Sequence, residues 1–164
     1  MRVSKRRRWT FLVEDIGVNE KWIHCFENVT AVLFVCAISA FDQNLYEDDV
    51  TNRMRESLTL FNEISNSRWF DDTAMILFLN KRDIFEEKIK RVQFSDFFPE
   101  YHGRNNYDEV VEYISKMFVS QRAQRDIPIY VHVTCATNTQ NVAVIFNAVK
   151  DIVIKKGLTG AGLV

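Results

Sequence analysis

The sequence is poor in proline and glycine, with 2 Pro and 5 Gly among its 164 residues, and charges of neither sign dominate it. Because 47% of the residues are apolar, this composition excludes collagen-like repeats, low-complexity character and disorder of the whole chain. The formal net charge of −1 argues against a general polyanion-binding surface, so we expect no nucleic-acid partner. The length suits one domain, and 13 Phe, 5 Tyr and 3 Trp supply aromatic side chains for its core.

Cysteines and long apolar runs are also scarce. The three cysteines are an odd, widely spaced set, which predicts no disulfide framework and favours a reducing, cytoplasmic environment. The longest apolar run, 31–38, falls far short of the ~20 residues that cross a bilayer, so we expect no transmembrane segment. Arg2 follows Met1 where N-myristoylation requires glycine, so we expect no lipidation signal in this chain.

The first eight residues differ in charge from the rest of the chain. They contain no acidic residue and five basic ones, namely Arg2, Lys5, Arg6, Arg7 and Arg8. We interpret residues 1–8 as a basic disordered leader and residues 9–164 as one continuous domain. The alternative interpretation of the leader is a patch for a membrane surface or for nuclear import.

Strand and helix patterns alternate along the domain. Segments rich in β-branched and aromatic residues predict four strands, at 9–13, 30–38, 74–79 and 129–133. The second and third are apolar at nearly every position, which is typical of parallel strands covered on both faces. Apolar residues that recur every three or four positions predict helices at 48–65, 107–119 and 142–153. The pattern predicts a layered α/β domain with a mainly parallel sheet and right-handed crossovers.

Polar residues directly follow two of these predicted strands. Asn80, Lys81 and Asp83 come after the third strand, and the segment 134–137 comes after the fourth. In parallel sheets, ligands bind beyond the carboxyl ends of the strands. We therefore expect both segments to contribute to one site.

The two segments together suit a guanine base. The Asp83 carboxylate can accept two parallel hydrogen bonds, from guanine's ring N–H and from its exocyclic amino group. Adenine presents an acceptor where guanine has the ring N–H, so a site with such polar partners rejects adenine. The Lys81 stem can cover the purine face, Asn80 can tie neighbouring loops together, and a backbone N–H of 134–136 can meet guanine's carbonyl oxygen.

Several longer strings resemble the α subunits of heterotrimeric G proteins. They are Lys-Trp-Ile-His-Cys-Phe-Glu-Asn-Val-Thr-Ala-Val at 21–32, Leu-Tyr-Glu-Asp at 45–48, Thr-Asn-Arg-Met at 51–54, Phe-Leu-Asn-Lys at 78–81, Phe-Pro-Glu-Tyr at 98–101 and Thr-Cys-Ala-Thr at 134–137. The resemblance extends over nearly the whole chain, and it implies a truncated, Ras-like, P-loop NTPase-type layered sheet. It also implies a signal transducer that couples seven-helix receptors to effectors through a GTP/GDP cycle. Mg²⁺ as a cofactor, the βγ dimer as a partner and a cytoplasmic position at the inner face of the plasma membrane follow from the same resemblance.

The resemblance also implies the roles of individual residues. Guanine binding falls to Asn80, Lys81, Asp83, Cys135, Ala136 and Thr137. Asp15 corresponds to the aspartate that holds Mg²⁺ through a water, and Gly17 lies in the same phosphate region. Contacts with the βγ dimer or an effector fall to Lys21, Trp22, Ile23, Cys25, Phe26 and Glu27. The final helix matches the family's receptor-docking element, with Leu158 and Leu163 as its apolar anchors.

The sequence departs from the family on the phosphate side. It contains no G-x-x-x-x-G-K-[ST] loop to cradle phosphates, and neither the family's helical domain nor its first switch with the phosphoryl-stabilising arginine. Asn19 stands in place of the glutamine that positions the attacking water, and its side chain is one methylene shorter. We therefore assign no catalytic residue and do not expect GTP hydrolysis by this chain. We expect guanine nucleotides to bind more weakly than micromolar, because the base contacts are present without the phosphate contacts.

Two alternatives stay open. The chain is a non-catalytic interaction protein that binds a receptor or the βγ dimer without nucleotide, or its start is a gene-model or splicing artefact and the sequence is incomplete. A further expectation concerns the pairing of the strands in the sheet. In the family, another strand lies between the strands that correspond to 9–13 and 30–38. Without that strand two sheet edges lack partners, so we expect these strands to re-pair or the chain to be only marginally stable.

Overall fold

The computed structural model describes residues 29, 31–123, 129–135 and 150. Its three strands are β1 (Ala31–Ala37), β2 (Ala74–Asn80) and β3 (Ile129–Val133). Its α-helices are α1 (Arg53–Ser65), α2 (Arg82–Lys88) and α3 (Tyr107–Gln121). Short 3-10 turns lie at Ile38–Ala40, Arg68–Phe70 and Phe94–Asp96.

The three strands form one parallel sheet in the order β1-β2-β3. The register of β1 on β2 runs from the pair Ala31 and Ala74 to the pair Ala37 and Asn80. The register of β2 on β3 runs from the pair Met75 and Ile129 to the pair Leu79 and Val133. All residues of β2 before Asn80 are buried, which explains why the strand is apolar at every one of those positions.

Helices α1 and α3 cover one face of the sheet. Their buried apolar side chains are Met54, Phe61, Ile64, Val110, Val111, Ile114 and Phe118. The ring of Phe34 from β1 lies 5.1 Å from the ring of Phe61 and 6.2 Å from that of Phe118, measured between centroids. Alternate residues of β2, including Ile76 and Phe78, point to a second apolar cluster on the opposite face. The sheet is therefore the centre of the core.

The predicted fold class is confirmed by this layered parallel sheet with flanking helices. Three of the four predicted strands lie in the described part of the chain, at 31–37, 74–80 and 129–133. The predicted strand at 9–13, the leader 1–8 and most of the predicted helix at 142–153 lie outside the described residues. The helix predicted at 107–119 is present and ends two residues later, at Gln121.

The predicted start of the first helix at residue 48 is wrong, because α1 begins at Arg53. Asn52 caps the helix, and its side chain accepts hydrogen bonds from the backbone N–H of Met54 at 3.0 Å and of Arg55 at 3.2 Å. The Asp48 carboxylate accepts backbone bonds from Val50 and Thr51. These side-chain acceptors hold 48–52 as a loop, since Asn and Asp compete with the helical pattern of backbone bonds. Val50, expected on the buried helix face, is 80% exposed.

Membrane-spanning helices were not expected, and no helix in the described part of the chain is long and apolar enough to be one.

Candidate guanine-binding site

The segments that follow β2 and β3 lie side by side at one edge of the sheet. The backbone N–H of Thr134 donates to the carbonyl oxygen of Leu79 at 2.8 Å. In return, the backbone N–H of Arg82 donates to the carbonyl oxygen of Thr134 at 3.2 Å. These bonds extend the pairing of β2 and β3 past the ends of both strands. The two segments that the sequence analysis selected are thus joined by main-chain hydrogen bonds.

A side-chain contact supplements this backbone pairing. The hydroxyl of Thr134 lies 3.4 Å from the side-chain oxygen of Asn80, to which it donates. Thr134 is buried and Asn80 is half-buried. This contact joins the two segments, and the role of Asn80 in guanine binding stays a prediction.

Lys81 forms a sharp turn between β2 and α2. Its backbone is left-handed, with φ 61° and ψ 39°. Asp49 is the only other non-glycine residue with a positive φ in the described part of the chain. A left-handed residue with a side chain costs roughly 1–2 kcal/mol, and such turns are concentrated at functional sites. The turn directs the chain into α2 and places Asp83 in the first helical turn.

Asp83 presents an ionised carboxylate beside the segment after β3. A hydrogen bond with the Cys135 side chain is the main influence that lowers the pKa of this carboxyl, and desolvation opposes it. The backbone N–H of Ile84 and the charge of Arg82 also lower the pKa of Asp83. Because Asp83 is exposed and ionised at neutral pH, it can accept hydrogen bonds from a ligand.

The residues expected to bind guanine are only partly within the described chain. The structure brings together Asn80, Lys81, Asp83 and Cys135 at the carboxyl ends of β2 and β3. Cys135 is buried, with 8% of its surface exposed. Ala136 and Thr137 lie outside the described residues.

The phosphate and partner residues also lie outside the described part of the chain. This applies to Asp15, Gly17, Asn19, Lys21, Trp22, Ile23, Cys25, Phe26, Glu27, Leu158 and Leu163. Among the residues that the structure does describe, no group of three or more His, Cys, Asp or Glu side chains is placed to hold a metal ion. The role of Asp15 toward Mg²⁺ therefore stays a prediction.

Helix α2 is an element of the site that the sequence analysis did not predict. It spans seven residues, and Phe85 is its one buried side chain, with its ring 5.6 Å from that of Phe41. At its end, the ammonium group of Lys88 donates to the carbonyl oxygen of Ser39 at 2.9 Å and to the Asp42 carboxylate at 2.7 Å. These contacts fix α2, and with it Lys81 and Asp83, against the chain that follows β1. A seven-residue helix with a single buried residue gives no periodic signal in the sequence.

The fold is that of a Ras-like α/β domain with polar residues at the carboxyl edge of its parallel sheet. The family model of the G-protein alpha subunit matches residues 10–153. The chain is 52% identical over 157 residues to the guanine nucleotide-binding protein G(o) subunit alpha of Caenorhabditis elegans, and 51% identical over 157 residues to that of Locusta migratoria. Each comparison covers 93% of this chain and 44% of the relative, so the chain spans less than half the length of these curated relatives. The chain belongs to the G-protein alpha subunit family, and the resemblance found in the sequence is confirmed.

Proposed function

We propose that this chain contributes the guanine-recognising part of a GTP/GDP-binding signal transducer of the G-protein α subunit type. The observation that carries the proposal is the ionised Asp83 carboxylate beside two sheet-edge segments joined by backbone hydrogen bonds. Two relatives carry guanine nucleotide binding in their names, and their sequences match this chain over 93% of its length. The residues present therefore fit a guanine base.

The chemistry of Asp83 favours guanine over adenine. Two parallel N–H groups on guanine face one carboxylate, and hydrogen bonds to a charged acceptor are stronger than neutral ones. Adenine would place the lone pair of a ring nitrogen opposite the carboxylate. The ring nitrogen and the carboxylate oxygen are both acceptors, so neither would gain a hydrogen bond. Lys81 is exposed beside Asp83, and its methylene stem can cover one face of the purine. These residues orient the base and account for its selection.

On the phosphate side, Asp15 would hold Mg²⁺ through a water, and Gly17 would lie near the phosphates. When bound, Mg²⁺ would neutralise part of the phosphate charge. Asn19 is too short to take over the role of the family's glutamine toward the attacking water. We therefore propose binding of GTP and GDP by this chain without efficient GTP hydrolysis.

The partners that we propose are the βγ dimer, a seven-helix receptor and a downstream effector, met at the inner face of the plasma membrane. The residues proposed for the βγ dimer or the effector are Lys21, Trp22, Ile23, Cys25, Phe26 and Glu27. Leu158 and Leu163 are proposed as apolar anchors for the receptor.

The test is a titration of the full chain with fluorescent guanine and adenine diphosphates in the presence of Mg²⁺. We expect guanine to be preferred by at least about tenfold, since one lost pair of charged hydrogen bonds corresponds to that factor or more. Equal affinities for both nucleotides would contradict guanine recognition. Absence of any nucleotide binding would favour the alternative, an interaction protein that binds a receptor or the βγ dimer alone.

A further inference from the structure

Tyr46 lies in an exposed loop between β1 and α1. Two backbone hydrogen bonds close this loop, one from the N–H of Leu45 to the carbonyl oxygen of Thr51 at 2.8 Å. The other runs from the N–H of Asp49 to the carbonyl oxygen of Leu45 at 3.1 Å. The five consecutive residues 46–50 are all exposed. Tyr46 has a relative exposure of 103%, so no neighbouring residue shields its ring or its hydroxyl group.

This exposure separates Tyr46 from the other tyrosines of the chain. All five tyrosines lie within the described residues, and four of them are buried or half-buried, namely Tyr101, Tyr107, Tyr113 and Tyr130. The hydroxyl of Tyr101 donates to the carbonyl oxygen of Arg104 at 2.7 Å. The ring of Tyr107 lies 6.0 Å from that of Phe85, measured between centroids. An enzyme that must surround a phenol can therefore reach Tyr46 without unfolding of the core.

Three acidic residues directly follow this tyrosine. They are Glu47, Asp48 and Asp49, and all three are exposed. The Asp48 carboxylate is engaged within the loop, since it accepts hydrogen bonds from the backbone N–H groups of Val50 at 3.0 Å and Thr51 at 2.9 Å. The exposed carboxylates of Glu47 and Asp49 can meet basic side chains of an enzyme. Kinases use such charge patterns to select their substrate segments.

We propose that Tyr46 is a phosphorylation site for a tyrosine kinase with a basic substrate groove, and that its phosphate loosens the turn at 48–51. The phenolic oxygen forms a bond to the γ-phosphorus of ATP, and the bond from that phosphorus to the bridging oxygen of ADP breaks. The phenolic proton passes to a carboxylate of the kinase, and ADP leaves. The inference uses the loop between β1 and α1 alone, so it does not depend on guanine recognition.

The phosphate changes the charge of the loop. It adds a charge of about −1.5 to −2 at neutral pH beside three carboxylates, and like charges at such short separations repel one another. The Asp48 carboxylate, which holds the N–H groups of Val50 and Thr51, is among these repelled groups. The next residue is Asn52, the cap of α1. Phosphorylation therefore acts on the turn that leads into this helix.

The first test treats the full chain with Mg²⁺, ATP and a purified tyrosine kinase domain that phosphorylates an acidic glutamate–tyrosine copolymer. The reaction is run under conditions in which circular dichroism shows the chain to be folded, and mass spectrometry locates the phosphate at early times. We expect phosphate on Tyr46, and a loss of this early phosphorylation in Tyr46→Phe. Because the side chain is fully exposed, Tyr46→Phe leaves the core unchanged.

Tyr107 provides the matched control for the sequence around the tyrosine. It too precedes two acidic residues, Asp108 and Glu109, but it is half-buried at the start of α3. The Tyr107→Phe variant should be modified on Tyr46 at the rate of the unaltered chain. Equal initial rates at Tyr46 and Tyr107, or no phosphate on Tyr46, would overturn the proposal.

The second test removes the charges that are proposed to select the loop. The double variant Glu47→Gln with Asp49→Asn leaves Tyr46 and Asp48 in place, and Asn tolerates the left-handed backbone at position 49. We expect kcat/KM for phosphorylation to fall by about threefold or more, because two ion pairs with the kinase are lost. Glu56→Gln with Glu63→Gln, two exposed positions of α1, is the control and should leave kcat/KM unchanged. An unchanged kcat/KM in the first double variant would refute selection by charge.

The third test compares hydrogen exchange in the phosphorylated and the unmodified chain. We expect the amides of Val50 and Thr51 to exchange about threefold faster or more after phosphorylation, since repulsion weakens their bonds to Asp48. The difference should shrink in about 1 M salt, which screens the added charge. Equal exchange rates at these two amides in both forms would overturn the proposed effect on the turn.

Discussion

Asp83 presents the carboxylate that we propose as the guanine-recognising group of the candidate site. Hydrogen bonds from the Cys135 side chain and the backbone N–H of Ile84 lower its pKa, in opposition to desolvation. Such bonds stabilise the charged form without an ion pair that would occupy both oxygens. The carboxylate that we propose for guanine recognition is therefore kept in its charged form by its own hydrogen bonds.

His132 gives the stability of the chain a pH dependence of its own. Its half-buried imidazole stacks on Phe78 at a centroid distance of 5.5 Å, and desolvation lowers its pKa below the ordinary value of 6.5. The unfolded chain then binds a proton at a higher pH than the folded chain does. Stability is therefore fully present above pH 6.5 and falls as the pH drops through that value toward the lower folded pKa.

We expect His132→Phe to remove this loss while it keeps the aromatic contact with Phe78. The measurement is the urea midpoint of each protein at about pH 7.5 and about pH 5.5, a range in which carboxyl groups with ordinary pKa values stay ionised. The unaltered chain should lose more stability between the two conditions. An equal loss in both proteins would show that His132 does not cause it.

Among the secondary-structure elements, the local pattern of residue types determined which ones the sequence could predict. β2 was predicted to within one residue, because continuous apolar residues mark a strand covered on both faces. The half-buried β3 was predicted at its observed bounds from its β-branched and aromatic residues. α3 was predicted from its apolar stripe. The start of α1 was predicted too early, since Val50 continues the apolar spacing although Asp48 and Asn52 hold a loop there. The spacing of apolar residues does not report such local side-chain acceptors.

Asn52 is the residue on which the start of α1 depends most. Its side-chain oxygen caps the helix, and its amide group donates to the carbonyl oxygen of Phe41 at 2.7 Å. We expect Asn52→Ala to lower the free energy of unfolding by about 1–2 kcal/mol, since both the cap and this bond are lost. Asn52→Asp keeps the capping oxygen but turns its second oxygen toward the Phe41 carbonyl, so it reports the loss of this bond with the cap intact.

Chemical denaturation of these variants tests the cap. Glu63→Ala, an exposed position in the same helix, is the control and should change stability by less than about 0.5 kcal/mol. If Asn52→Ala were as stable as this control, the helix start would not depend on the cap.

At the scale of the whole molecule, the site arises where two distant segments of the chain meet. The sequence predicted that the segments after the strands at 74–79 and 129–133 would meet, because parallel strands end at a common edge. It could not predict the contact of Cys135 with Asp83, which requires the exact register of β2 on β3. It also could not predict how Lys88 fixes α2, since that contact joins residues 46 positions apart. Predictability ended where tertiary geometry, rather than local pattern, decides the contact.

The partners of β1 give a prediction about global stability. In the described part of the chain, β1 pairs with β2 alone. The resemblance to the family leads us to expect an unpaired edge on its other side, and unpaired edge amides cost about 1–3 kcal/mol each when buried. Without ligand, we expect the chain to melt below about 55 °C in a calorimetric scan. A cooperative transition above that temperature would show that the edge is fully satisfied.

The central claim is that the Asp83 carboxylate recognises guanine, and the most direct measurement is the GDP affinity of Asp83→Ala. Glu86→Ala is the matched control, since it removes another exposed carboxylate from the same helix. By isothermal titration in the presence of Mg²⁺, we predict that Asp83→Ala binds GDP at least about tenfold more weakly and no longer prefers GDP to ADP. Glu86→Ala should bind GDP as the unaltered chain does. Retention of full GDP affinity and selectivity by Asp83→Ala would contradict the account.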